Sequence, residues 1–263
     1  MTAPIPRDLP DLPAIPRKPA LRPSPVPATA VVTPVRRPAA AAYRLLIALA
    51  AAAGVTLELL LGDPSRVLGY FAIQSNILLA VVMTFSARRA WTASRPLPGA
   101  VLGATLLYVV IAALVHHLLL ASAASPFSLT GEAATPKGWQ ALAHHTLHTV
   151  TPIAAVLEWL LLTAPGRLHL RHAPTWLLYP LAYLAFSLTR GELLLPGAAD
   201  RYLYPFLDVG QDGYKRVLGN ALLLGLSFYA LAVLLVALDH ARPNPIRHRG
   251  KNRISCLATG GLK

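Results

Sequence analysis

The segment HHTLHTVTP, residues 144–152, places His144, His145 and His148 inside an otherwise apolar run. On a helix His144 and His148 are spaced i,i+4 and His145 and His148 i,i+3, so all three fall within one broad stripe. Two chemistries suit such a stripe. His-x-x-x-His sets two imidazoles on one helix edge, a common zinc arrangement, and His116, His117, Glu58 or Glu192 could supply a third ligand. HExxH is absent, the other candidate ligands are scattered, and neither a bound metal nor a cofactor is expected. The second chemistry is acid–base work: a histidine beside a hydroxyl can activate it for attack on an ester. Ser75 is the candidate nucleophile and His148 the candidate base. Gln74, Asn76, His116, His117, His144, His145 and Arg190 are the candidate groups for holding substrate, Arg190 through a forked hold on a carboxylate or oxyanion.

These side chains need a scaffold, and composition narrows it. The chain has 263 residues, 55% hydrophobic and 13% charged, with a mean hydropathy of +0.51; soluble domains carry about 25% charged residues. Net charge is +13. The basic residues lie mostly at the ends of apolar blocks, as loops of a membrane protein require, and no DNA-binding motif accompanies them, so nucleic acid is not an expected partner. The single cysteine, Cys256, excludes an internal disulfide and a cysteine metal cluster. Residues 1–38 are rich in Pro and Ala, hold no apolar signal core, and read as a disordered basic cytoplasmic tail. Residues 241–263 read as a second basic cytoplasmic tail.

Between them, residues 39–240 carry apolar blocks at 41–61, 69–87, 99–123, 141–163, 175–195 and 216–238. Each approaches the ~20 residues that a helix needs to cross ~30 Å of hydrocarbon. The expected fold is therefore all-α: a polytopic bundle of six transmembrane helices in the cell membrane. Arg88, Arg89, Arg95, Arg167 and Arg171 fall on the same side as both basic tails, which makes both termini cytoplasmic. Following each block inward or outward brings Glu58, Gln74–Asn76, His116–His117, the block-four histidines and Arg190 with Glu192 into the outer half. Ionisable groups at that depth are costly and face the bundle interior.

GYFAIQSNILLAVV, VHHLLLA, LHTVTPIAAVLEWLL, LLYPLAYLAFSLTRG and YPFLDV together resemble the Pr6Pr family of bacterial six-span membrane proteins, over roughly residues 40–240. That family is distantly similar to the androgen-induced gene 1/ADTRP-like membrane proteins, which hydrolyse fatty acid esters of hydroxy fatty acids with an intramembrane threonine and histidine. The resemblance matches the histidine to His148 and the threonine to Ala72, which has no nucleophile. It thus leaves open a substitution by Ser75, a shifted alignment, or a mechanism without the threonine.

The leading functional expectation is an intramembrane hydrolase of lipid esters, with membrane lipids as partners and a lipid-like ligand in the bundle. The alternatives are a non-enzymatic binder or transporter of lipid or small molecules, and a zinc-dependent lipid hydrolase. Reporter fusions after residue 130 should read as external and fusions after residue 250 as internal. An external C-terminus would overturn the topology.

Overall fold

The computed structural model describes residues 35–121, 137–195, 198 and 201–243. The basic segments expected at 1–38 and 241–263 lie almost wholly outside the described residues, as does most of the stretch SPFSLTGEAATPKG. Among the described residues all regular structure is helical. The elements are α1 (Pro38–Leu61), α2 (Pro64–Val67), α3 (Phe71–Trp91), α4 (Gly99–Leu114), α5 (Gly138–His145), α6 (Thr151–Leu161), α7 (Ala173–Trp176), α8 (Leu178–Leu193) and α9 (Val209–Ala241). A π-helical turn, Val115–Leu120, extends α4, and another, Thr146–Val150, joins α5 to α6.

Four helical runs are long and apolar enough to cross a membrane: Pro38–Leu61, Phe71–Trp91, Gly99–Leu120 and Gly213–Ala241. The run from Gly138 to Leu161 is continuous, about 36 Å at 1.5 Å per residue. Its histidines, threonines and Glu158 make it more polar than those four. Helix α8 has 16 residues, about 24 Å, and is separated from α7 by Leu177 alone.

Local sequence explains the boundaries. Pro38 opens α1 at the first helical position, where its missing N–H is harmless. Asp63 caps α2, accepting from the Ser65 hydroxyl at 2.6 Å and the Ser65 amide at 2.7 Å. Those bonds, with the Arg66 amide, hold its carboxyl below the ordinary range. Asp208 caps α9 through the Gly210 amide at 2.8 Å, and α9 kinks at Gly213, whose φ of 71° suits glycine. Helix α1 packs on α3 and buries Ala40, Ala48 and Ala51; small residues allow close helix approach where lipid supplies no hydrophobic drive.

One end of the bundle, the terminal end, gathers the first and last described helices. The Arg37 amide donates to Ala90 O at 3.0 Å, joining the start of α1 to the end of α3. Arg44 of α1 donates through Nε to Glu158 Oε1 of α6 at 2.7 Å, and Nη2 lies 2.7 Å from the same oxygen. Thr163 Oγ1 adds a bond to Glu158 Oε1 at 3.1 Å. Asp239 of α9 is fully buried. It accepts from Trp159 Nε1 at 3.1 Å, from the amides of Arg167 and Leu168 at 2.7 and 2.8 Å, and from Arg242. The guanidinium of Arg242 also lies over the Trp159 ring at 4.4 Å.

Removing one partner of a buried ion pair strands the other. Glu158→Leu should cost about 3–5 kcal/mol by leaving Arg44 buried with no counter-charge, whereas Arg44→Met with Glu158→Leu should recover most of that loss. Thermal unfolding in detergent reads both. A double variant no more stable than the single one would show that the pairing contributes nothing specific.

Candidate functional site

Both π turns carry histidines. His116 and His117 lie in the turn that extends α4, and His148 lies in the turn between α5 and α6. π-Helical residues make up well under 1% of globular proteins and concentrate at functional sites.

The second turn follows from Pro152. Proline has no N–H, so the carbonyls that would bond residue 152, His148 O at i−4 and Leu147 O at i−5, lose that donor. The Thr151 amide reaches Thr146 O in the π register. Side chains from two other helices supply the missing donors. Asn76 Nδ2, fully buried on α3, donates to Leu147 O at 3.2 Å, and its Oδ1 accepts from Thr151 Oγ1 at 2.6 Å. His117 Nε2 sits 3.2 Å from His148 O and 3.1 Å from Thr149 Oγ1. Gly54 of α1 permits the approach of this turn: a Cβ there would lie 2.8 Å from Leu147 Cδ2.

The turns bring His116, His144 and His148 together. Ring centroids are 4.5 Å apart for His116–His144, 4.4 Å for His116–His148 and 4.3 Å for His144–His148. His144 Nε2 and His116 Nε2 lie 3.2 Å apart, so one nitrogen donates and the other accepts. His148 Nδ1 lies 3.0 Å from His144 O. A carbonyl only accepts, so Nδ1 carries the proton and Nε2 is left as the basic nitrogen. Among the described residues no set of three His, Cys, Asp or Glu side chains has the arrangement to hold a metal ion.

A cavity of about 560 Å³ adjoins this cluster, within the range of ligand sites. His116, His148, Phe71, Ala72, Tyr183 and Tyr204 line it together with leucines of α8 and α9. The side chain of Tyr183 is tied to Gly69 O at 2.9 Å. No serine, threonine or cysteine is among the lining residues.

The other sequence candidates lie elsewhere. Ser75 is fully buried and is not in the cavity wall. Gln74 bonds Leu68 O at 2.9 Å and accepts from Tyr179 at 2.8 Å. Asn76 and His117 brace the turn. His145 is exposed, with its ring 6.3 Å from that of His144. Arg190 donates to Arg201 O at 3.1 Å. Tyr183, on the same helix, already reaches the level of Gly69 before α3, and Arg190 lies about 10 Å further along α8. Glu192, beyond it, accepts from Tyr214 at 2.7 Å and Tyr202 at 3.1 Å. Thr151 and Arg44 were not among the candidates from sequence. Thr-Pro inside an apolar run was the available signal for Thr151, while the partner of Arg44 lies 114 positions away.

Comparison with family models finds no match, and neither does comparison with curated proteins or with solved structures.

Proposed function

We propose that the chain is a six-span protein of the cell membrane, with both termini cytoplasmic, that binds a membrane lipid in this cavity and hydrolyses its fatty acyl ester. Support for the topology comes from the meeting of the first and last described helices at one end, from the basic residues that flank it, and from the continuous run Gly138–Leu161. The terminal end is then the cytoplasmic end, and the histidine cluster lies in the outer half.

The observation that carries the chemistry is that His148, with Nε2 free to accept, and Ala72 share one largely apolar cavity wall. These are the two positions that the resemblance to the Pr6Pr family, and through it to the ADTRP-like hydrolases, makes functional. With alanine in place of the threonine, water is the nucleophile. His148 Nε2 takes a proton as the water oxygen bonds to the acyl carbon. The acyl C–O bond then breaks and the proton passes to the departing alkoxide, giving a fatty acid and an alcohol. His116, whose Nε2 is bonded to His144 Nε2, is the other imidazole on the wall, and its Nδ1–H is the donor for the oxygen that gains charge.

A second reading, a lipid binder without turnover, is favoured by the lack of a hydroxyl nucleophile among the lining residues. Fatty acid esters of hydroxy fatty acids, offered to the purified chain in nanodiscs, separate the two. The hydrolase reading expects His148→Ala to lower turnover by about 10²–10⁴, Ser75→Ala to leave it nearly unchanged, and Ala72→Thr to raise it. Undiminished turnover in His148→Ala would end the role of the histidine. An intact chain that binds the ester but never cleaves it would establish the binder.

A further inference from the structure

The cavity has a second set of lining residues. Leu178 and Leu181 of α8 and Leu218, Leu222 and Leu226 of α9 all contribute to its wall, yet they are 63%, 61%, 53%, 67% and 60% exposed. A side chain that both lines a cavity and faces outward marks its mouth. This mouth therefore lies on the flank of the bundle, between α8 and α9, rather than at either end. In a membrane that flank meets hydrocarbon, so a ligand that enters there must be apolar along the part that passes.

The wall from Leu218 to Tyr229 of α9 extends about 16 Å along the helix, close to the ~15 Å that one leaflet contributes to a ~30 Å hydrocarbon layer. Of the small residues in the stretch, Ala221 and Gly225 line the cavity, whereas Gly219 and Ser227 do not. A Cβ built at Gly225 would meet nothing within 4 Å, so helix packing does not explain the glycine. It borders the open space of the cavity. The two imidazoles sit together on the wall, whereas the mouth between α8 and α9 is lined by leucines with Tyr229 at its far end. The matching ligand is an amphiphile with one polar head and one long chain.

We infer that a single-chain acyl lipid enters sideways between α8 and α9, with its carboxyl or ester group at His116 and His148 and its chain along α9. Ala221 and Gly225 set the length of chain that the cavity admits. The inference rests on the lipid reading of the site given above, but it needs no cleavage.

Palmitic and octanoic acids, each with a terminal diazirine, are the probes, photolysed with the full chain in nanodiscs and mapped by peptide mass spectrometry. Palmitic acid should label the α8 and α9 residues at the mouth in preference to exposed leucines of α1 such as Leu46 and Leu49. Gly225→Phe should lower that labelling by about tenfold or more, as shape changes in apolar pockets do, and leave octanoic acid labelling intact. Ala221→Phe provides the same test at a second position, and unchanged thermal unfolding certifies both variants. Labelling spread evenly over α1, α8 and α9, or palmitic acid labelling undiminished in both variants, would overturn the inference. Ester turnover measured in parallel separates the two claims. Focused, variant-sensitive labelling without turnover removes hydrolysis and keeps the acyl site. Turnover that depends on His148 but labelling indifferent to both variants keeps hydrolysis and removes the site.

Discussion

The missing amide of Pro152 is the constraint on which the site depends. Inside an apolar bundle a backbone carbonyl without a donor is expensive, because no water can replace the lost bond. Pro152, itself buried, takes a donor from this turn where turn and helix pack on α1, α3 and α4. The chain answers with a π turn, with Asn76 on Leu147 O, and with His117 on His148 O. Widening the turn rotates the helix on its far side. His148 thereby stacks against His144 and faces His116 from the neighbouring π turn, and its Nδ1 bonds the His144 carbonyl. Backbone repair and imidazole placement are one arrangement, which is why Asn76 and His117 belong to the site although neither lines the cavity.

The two ends of the bundle hold polar groups for different purposes. At the terminal end Arg44, Glu158, Asp239 and Arg242 satisfy one another and the local backbone, tying α1, α6 and α9 together. Charges so paired, with Arg242 Nε left without a hydrogen-bond partner, offer little to a ligand. At the histidine end the polar groups are imidazoles, with a nitrogen to spare, beside open apolar space. A firmly tied end lets the other end keep a cavity, since α9 is anchored there by Asp239 while its exposed leucines remain loosely covered.

Much of the scaffold was legible in the sequence, because hydropathy alone marks a run of lipid-compatible residues. Blocks one, two, three and six emerge as helices long and apolar enough to cross a membrane. Block five was less legible: the break at Leu177 is a matter of backbone geometry, and Arg190 sits near the far end of the helix that follows it, bonded to Arg201 O. Spacing showed that the block-four histidines share a stripe. It did not show that His145 would turn outward or that Ser75 would be buried away from the cavity, because both depend on which neighbour each helix face meets. The Arg44–Glu158 pair was invisible for the same reason: it joins residues 114 positions apart.

The catalytic reading turns on His148 presenting a bare Nε2 to the cavity, and nitrogen-15 NMR of the histidines reports that directly. Spectra of the labelled chain in nanodiscs, with His148 assigned by its loss in His148→Ala, should show a protonated Nδ1 and an unprotonated Nε2. A proton on Nε2 with Nδ1 bare would contradict the hydrogen bond to His144 O and remove the base from the cavity.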